Sequence, residues 1–367
     1  MKDRSVPFFK RDGVITVMSS ILCVIIGLLI GFVILVIINP DGAVNAIGVM
    51  LENFLYFPND QMAMYYFGNT LAKSAPLLLC TLSVIFAYKV GLFNIGASGQ
   101  FTIGAGVALL LGLSAHMPWW VCLLAATFAG GLVGALTGFL KARFQVNEVI
   151  SGIMLNWILL YAVNTMLDGV RESGGTFTLS LDVNAPNALI PSLGLEHIFG
   201  ESPYVTIGIL FSVLCAIAVW FVLAKTKLGY ELKATGISKD ASRYAGMSVS
   251  KNMVLTMFLS GCLAGLAAAC LYLSGIEQWS CAQTVVPAMG FNGISAAFLG
   301  ALNPIGSIFS SFFIQHLMTG GSYINKLVYC TEISGLIIAI IIYSCGFSAY
   351  IRKRMKDGRV RKGGKRR

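Results

Sequence analysis

Long apolar runs separated by short polar segments extend over most of the chain. They lie at residues 15–38, 66–88, 94–113, 118–140, 148–167, 204–225, 251–274, 284–300, 304–321 and 329–350. Because a helix needs about 20 apolar residues to cross a bilayer, the pattern predicts an all-α polytopic membrane protein with about ten transmembrane helices. The first run is too long for the core of a signal peptide and lacks a cleavage site before Asn39-Pro40, so it is predicted to span. The predicted transmembrane domain is 15–350, between an N-terminal segment, 1–14, and a tail, 351–367.

Basic and acidic residues are distributed unequally between the connecting segments. Lys and Arg occur in 1–14, at Lys89, at 141–143, in the loop 225–251 and in the tail 351–367. Residues 41–60 carry three acids and no Lys or Arg, and the loop 168–203 carries five acids with Arg171 alone. The positive-inside rule therefore predicts two cytoplasmic termini and an external loop at 168–203. Lys326 is the one exception, since the pattern places it outside.

The predicted topology also relates the two halves of the chain. The first five helices begin inside and the last five begin outside, so any similarity between the halves would be that of an inverted repeat. A short similarity between residues 91–96 (GLFNIG) and 290–294 (GFNGI) is the only support in the sequence.

Composition agrees with a membrane protein and excludes several other classes. Hydrophobic residues make up 56% of the chain and charged residues 11%, whereas soluble domains carry roughly 25% charged residues. The net charge of +10 is concentrated in the tail, where ten Lys or Arg stand against Asp357. Such a run predicts a cytoplasmic anchor that contacts anionic lipids rather than nucleic acid. The nine cysteines include no Cys-x-x-Cys pair, and no metal site is predicted.

Two predicted helices carry stripes of small residues at four-residue spacing. The stripes are Ala126, Gly130, Gly134 and Gly138 in the fourth helix and Gly261, Gly265 and Ala269 in the seventh. Such stripes allow helix backbones to approach closely in a membrane, so they predict packing rather than a ligand site.

The segment 91–105 places amides and glycines at the mouth of an apolar helix. Asn94 and Gln100 stand there on a predicted cytoplasmic turn. Polar side chains in a lipid-embedded position are costly unless they face partner helices or a wet path, so the segment favours a transporter.

The next predicted cytoplasmic turn also carries polar residues. Asn147 and Glu148 suit the start of a helix, as a cap and a favourable charge at the helix dipole. Asn156 lies about two turns deeper, where an amide needs a partner. It is either a clasp between helices or a residue of a transport path.

The loop 225–251 is the longest internal segment on the predicted cytoplasmic side. Its stretch 240–245 fits a short amphipathic helix. One face carries Ala241, Tyr244 and Ala245, and the more exposed face carries Asp240 and Arg243. The helix lies either in the membrane interface or against a soluble partner.

Four motifs follow one another on the sides of the membrane that the charges predict. They are residues 94–100 (NIGASGQ), 142–150 (ARFQVNEVI) with 154–156 (MLN), 236–246 with 260–265 (SGCLAG), and 290–294 (GFNGI) with 299–304. Together they resemble the permease subunit of ABC importers for nucleosides, in the wider ribose and branched-chain amino acid permease family. The resemblance covers about residues 65–350. Family members usually carry Glu where this chain has Ser98, so no carboxylate role carries over to that position.

The resemblance implies a division of labour with other chains. The loop 231–247 would be the coupling helix that inserts into a partner ATPase, through Gly236, Asp240, Ala241, Arg243, Tyr244, Ala245 and Gly246. ATP and Mg would be bound by that ATPase, because this chain has no phosphate-binding loop and is not itself an enzyme. A second permease, often of different sequence, and an extracytoplasmic substrate-binding protein or lipoprotein are also implied. The chain itself would hold no cofactor.

Within that family, an uncharged nucleoside suits the polar and aromatic residues of the predicted path. These are Phe93, Asn94, Gln100, Asn156, Trp157, Phe291 and Asn292. Bases stack on aromatic rings and ribose hydroxyls bond to amides. A simple sugar would suit the same path, whereas a branched-chain amino acid would call for charges or helix termini.

Two other classes of membrane protein fit the sequence less well. An ion-coupled transporter would need deep ionisable groups, but Lys73, Glu277 and Glu332 fall near predicted outer ends. An intramembrane enzyme would need a group of catalytic or metal-ligating side chains within the bilayer, which His316, alone in a short helix, does not supply.

The acidic segment 168–201, predicted to be external, is either a receptor-docking surface or a solvated loop.

Overall fold

A computed structural model of the chain describes residues 12–324, 328–329, 332–347 and 350–355. Within these residues the regular elements are helical, apart from two isolated β-bridges that pair Arg171 with Thr178 and Phe177 with Ser280. An all-α fold is therefore confirmed for the described part. Lys326, residues 1–11 and residues 356–367 of the basic tail lie outside it.

The helices follow the chain in two stretches, before and after the start of the loop 168–203. The first are α1 (Asp12–Ile38), α2 (Pro40–Glu52), α3 (Asp60–Lys89), α4 (Ala97–Leu113), α5 (Trp119–Phe144) and α6 (Glu148–Leu167). The later ones are α7 (Leu181–Asn184), α8 (Leu195–Ile198), α9 (Gly208–Lys225), α10 (Lys227–Ile237), α11 (Lys239–Tyr244), α12 (Val249–Tyr272), α13 (Met289–Leu299), α14 (Pro304–Gly321) and α15 (Glu332–Gly346). Each of the ten predicted apolar runs overlaps one of these helices, so a helix in each run is confirmed.

Not every helix is long enough to cross a bilayer. Among the described residues, six are both long and apolar enough: α1, α3, α5, α6 with the turn after it, α9 and α12. Helices α4 and α13 are apolar but have only 17 and 11 residues. The described part of the chain thus has the six candidate spans of a multi-pass membrane protein, with α4 between two of them and α13 after the last.

Helix α2 was not predicted from the sequence. Asn39-Pro40 looks like a turn, but the Asn39 carboxamide accepts hydrogen bonds from the backbone N–H groups of Asp41 and Gly42, at 3.1 and 3.3 Å. Pro40 then occupies the first helical position, where its missing N–H costs nothing. The helix buries Ala43, Ala46, Val49 and Met50 along one face.

Helices α5 and α12 form the tightest helix pair. A methyl group at Gly134 would collide with the Met257 carbonyl oxygen, and one at Gly261 would collide with the Gly130 carbonyl oxygen. The small-residue stripes therefore bring two backbones into direct contact, and the prediction that they serve packing is confirmed.

Helices α4 and α13 run in opposite directions from a common meeting point. A methyl group at Gly290, in the first turn of α13, would collide with the Ser98 hydroxyl in the first turn of α4. From there α13 runs beside α3 toward its last residues, because Gly293 lies against Cys80 and the Phe298 ring lies 5.9 Å from that of Tyr88. Helix α4 runs the other way. This opposed pair is the arrangement that an inverted repeat produces.

Candidate functional site

Two buried amides form a closed hydrogen-bond network where α4 begins. The chain turns back after α3, so that Asn94 reaches Ser83 inside that helix and Ser260 in α12. The Asn94 amide donates to Gln100 Oε1 at 2.8 Å and to Ser260 Oγ at 2.7 Å, while Gln100 Nε2 donates to Asn94 Oδ1 at 3.2 Å. The Ser260 hydroxyl donates to the Ser83 carbonyl at 2.7 Å. Both amides are fully buried, so the network fixes the re-entrant turn to two helices.

Asn156 closes the same region from α6. Its Oδ1 accepts the Gly99 N–H at 2.8 Å, and its Nδ2 donates to the Ile95 carbonyl at 3.1 Å. Of the two alternatives for this residue, the contacts are those of a clasp between helices. Gly99 is required by the close approach, since a methyl group there would lie 2.7 Å from Asn156 Oδ1.

The side chains of the remaining predicted path residues make no hydrogen bond to the amide network in the described part of the chain. Trp157 is 44% exposed on the outer side of α6 and Phe291 is 39% exposed on α13. Asn292 is half-buried, with its Nδ2 3.6 Å from the Met318 sulfur, and Phe93 is half-buried in the turn. The structure therefore brings the three amides of the first two turns together and leaves Trp157 and Phe291 at the surface of the single chain.

Ser98 stands at the junction between α4 and α13. Its side chain is fully buried, and its hydroxyl oxygen has no hydrogen-bond partner in the described part of the chain. Gly290 covers it directly. The sequence marked Ser98 only as a departure from a family pattern, and its contact with Gly290, 192 residues away, could not be predicted.

The predicted cytoplasmic loop forms two helices that a buried bond holds to the membrane domain. Asn252 in α12 donates to Thr235 Oγ1 in α10 at 3.0 Å, and both side chains are buried. The backbone of Gly236 packs on that of Val90 and Gly91. Ser238 caps α11 by accepting the Ala241 N–H at 3.3 Å. These contacts fix where α11 stands.

Helix α11 exposes nearly all of its side chains. The expectation that Tyr244, Ala241 and Ala245 would form the less exposed face is wrong, because Tyr244 is 95% exposed and both alanines are exposed too. Ser242 turns inward instead. The helix has only six residues and is held by its ends, so its polar pattern does not decide which face is buried. Ile237, 88% exposed at the end of α10, extends the same surface and was not predicted.

Two of the ionisable residues considered for ion coupling are paired with each other. Lys73 Nζ lies 2.9 Å from Glu277 Oε1, and both side chains are partly exposed. His316 bridges two elements: its Nε2 lies 2.8 Å from the Leu51 carbonyl and its Nδ1 lies 3.1 Å from the Asn53 amide. These contacts are structural. The side chain of Glu332 lies outside the described part.

The loop 168–203, predicted to be external, packs on the segment that follows α12. Thr178 N–H donates to the Trp279 carbonyl at 2.9 Å, and the Trp279 side chain is fully buried. A hydrogen bond from Ser192 lowers the pKa of the Glu196 carboxyl, and Glu201, 3.0 Å from His197, raises the pKa of that imidazole. The Glu196 carboxylate therefore stays ionised to a lower pH, whereas the His197 imidazole gains its positive charge at a higher pH than a free imidazole does.

No group of three or more metal-ligating side chains comes together within the described ranges.

Comparison with known proteins identifies a protein family. The family model described as "Branched-chain amino acid transport system / permease component" matches residues 66–345 of this chain. No solved structure matches the chain.

Three relatives cover most of the chain. It is 35% identical to the guanosine ABC transporter permease protein NupP of Bacillus subtilis, over 82% of this chain and 86% of the relative. It is 32% identical to the nucleoside ABC transporter permease protein NupB of Lactococcus lactis, over 75% and 78%. It is 30% identical to the glucose ABC transporter permease protein TsgB13 of Haloferax volcanii, over 95% and 91%.

Proposed function

Because this chain belongs to the branched-chain amino acid transport system permease family, we propose that it forms the translocation path of an ABC importer for nucleosides. The observation that carries the substrate class is its 35% and 32% identity to permeases named for guanosine and nucleosides. It is a multi-pass protein of the cell membrane and a transport subunit rather than an ATPase. A simple sugar is the second candidate, because a permease named for glucose is 30% identical over 95% of this chain.

Uptake separates these two candidates. Labelled guanosine is supplied to matched cells with and without this chain, while its partner subunits are present, and unlabelled ribose or glucose serves as the competitor. We expect deletion to abolish guanosine uptake that neither sugar inhibits. Intact guanosine uptake together with lost sugar uptake would favour the sugar permease instead.

We further propose a topology of ten spans with both termini in the cytoplasm. The basic residues at Lys89, at 141–143 and in the loop 225–251 support it, as do the acids of the loop 168–203. The membrane domain is 15–350, with 1–14 and 351–367 on the cytoplasmic side. Single cysteines placed at 174 and 239, in a chain without its native cysteines, should be labelled from outside and from inside respectively.

The proposed complex contains other subunits. An ABC ATPase binds ATP and Mg and contacts the exposed surface of α11, formed by Asp240, Ala241, Arg243, Tyr244, Ala245 and Gly246, with Gly236 behind it. A second permease, of different sequence, completes the path, and an extracytoplasmic substrate-binding protein or lipoprotein delivers the nucleoside. The basic tail contacts anionic lipids.

We propose that the exposed aromatic residues border the path and that the amides hold its wall. Trp157 and Phe291 are exposed on this single chain, where a second permease would enclose the path, and Phe93 and Asn292 are half-buried. Asn94, Gln100 and Asn156 fix the start of α4 behind this surface. Replacing Trp157 with Ala should raise the KM for guanosine. The same change at Trp120, an exposed residue in the first turn of α5, should leave the KM unchanged.

A further inference from the structure

A groove with an apolar floor and a basic rim lies between α5 and α12 on the outside of the chain. Its volume is about 490 Å³. Ala135, Phe139, Val254 and Phe258 form the floor, and Arg143 and Lys251 stand at the rim.

The groove opens where the membrane surface meets the helices. Both α5 and α12 are long and apolar enough to span. The groove lies at the last turns of α5 and the first turns of α12, where their basic residues begin. Leu132 and Leu136 are exposed on the outer face of α5 just beyond it. The floor therefore faces the acyl chains of lipids, and the rim lies at the level of their headgroups.

The two rim cations have no acidic partner in the part of the chain that the structure describes. Lys141, close by in the same turn, is paired with Glu148 at 2.8 Å, which leaves Arg143 and Lys251 uncompensated. Both are exposed. An Arg guanidinium binds phosphate through two parallel hydrogen bonds, and Lys adds a point charge.

From this combination we infer that the groove binds an anionic phospholipid, with its phosphate between Arg143 and Lys251 and an acyl chain on the apolar floor. Basic pockets between transmembrane helices are suited to anionic headgroups. A free phosphate would use the rim and leave the floor empty. A helix of a partner protein would fill the floor but would need acids to meet the two cations. The site is separate from the basic tail and from α11.

Binding is tested on the full-length chain, purified in a neutral detergent and titrated with phosphatidylglycerol or phosphatidylcholine under native mass spectrometry. We expect one tightly held phosphatidylglycerol and weaker phosphatidylcholine binding. The double variant R143Q/K251Q should lower the phosphatidylglycerol affinity by about tenfold or more, because each basic residue near an anionic headgroup contributes measurably. The control K225Q/K227Q removes the same charge from exposed sites outside the groove and should leave the affinity unchanged.

A third variant tests the floor without touching the charges. A135F fills the groove and should also weaken phosphatidylglycerol binding. Three results would each overturn the proposal. They are unchanged phosphatidylglycerol binding in A135F, displacement of the lipid by inorganic phosphate in the buffer, and equal losses of lipid affinity in K225Q/K227Q and R143Q/K251Q. If R143Q/K251Q fails to give a monodisperse protein, the single variants R143Q and K251Q carry the same comparison.

Discussion

Buried amides in a membrane protein must find partners within the protein, and Asn94 and Gln100 find each other. Their reciprocal hydrogen bonds, with Ser260 as a third member, leave neither amide facing lipid. If one member is removed, the others lose hydrogen-bond partners, and a buried polar group without a partner bears its full desolvation cost. The network therefore stabilises the turn before α4 only as a complete set.

Replacing Asn94 with Leu keeps the number and branching of the side-chain heavy atoms and removes the hydrogen bonds. Gln100 then loses the hydrogen-bond partners of both its oxygen and its nitrogen. We therefore expect the free energy of unfolding to fall by about 1–3 kcal/mol. The measurement is the midpoint of thermal unfolding in detergent. Asn187→Leu, at an exposed position of the external loop, should leave the midpoint nearly unchanged. Equal midpoints for N94L and the wild type would show that the network contributes little.

Glycine at the α5 and α12 contact has a measurable role of its own. Gly134→Ala places a methyl group against the Met257 carbonyl, so the helices must separate, and overpacking of this kind costs about 1–3 kcal/mol. Gly48→Ala is the matched control, since a methyl group in that helix meets nothing within 4 Å. Unfolding midpoints should fall for G134A and stay or rise for G48A. A fall of the same size in both would point to loss of glycine itself rather than to the contact.

At the scale of helices, apolar runs predicted positions well because burial in lipid requires little beyond an unbroken apolar stretch. The predictions failed where a few local contacts decide the structure. Asn39 caps α2 in a segment that looks like a turn, and α11 is too short for its pattern to choose a face. The meeting of Ser98 with Gly290 depends on residues 192 positions apart, and no local pattern encodes it.

Helix α11 provides the prediction for coupling. Ala241 and Ala245 are exposed and held in place by the Ser238 cap and the Asn252 bond behind them. Bulky replacements there, A241W or A245W, should leave the chain inserted and the helix formed while blocking its contact with the ATPase. ATP hydrolysis by the assembled importer should then no longer rise with receptor and substrate. Gly246 is avoided because its φ of +80° makes any side chain strained.

The control for α11 lies in a neighbouring turn. Val146→Trp places the same large side chain at an exposed position after α5. This variant should leave receptor-stimulated ATP hydrolysis intact. Normal receptor-stimulated hydrolysis in A241W and A245W would contradict the assignment of α11 as the coupling helix.

On the scale of the whole molecule, charge differs between the connecting segments. Basic residues occur at Lys89, at 141–143 and in the loop 225–251, and acids occur in the loop 168–203, where Arg171 is paired with Asp168 at 3.2 Å. That loop is ordered by the segment after α12 through the Thr178 and Trp279 contact. An ordered acidic surface suits a docking protein better than a solvated loop would, because little freedom is lost when it binds.

Charge reversal distinguishes docking from a solvated loop. The triple change of Glu172, Asp182 and Glu196 to Lys should weaken receptor binding through lost electrostatic complementarity, mainly by slowing association at low salt. Binding to the complex in nanodiscs, measured by surface plasmon resonance, gives that rate directly. Reversal of Asp41, Glu52 and Asp60 changes the same charge on the same predicted face outside the loop, and its effect should be smaller. Because Glu172 also accepts a hydrogen bond from Gln278, the pair D182K/E196K is measured beside the triple variant. Unchanged association in both loop variants, with normal insertion, would leave the acidic loop as a solvated cap over Trp279.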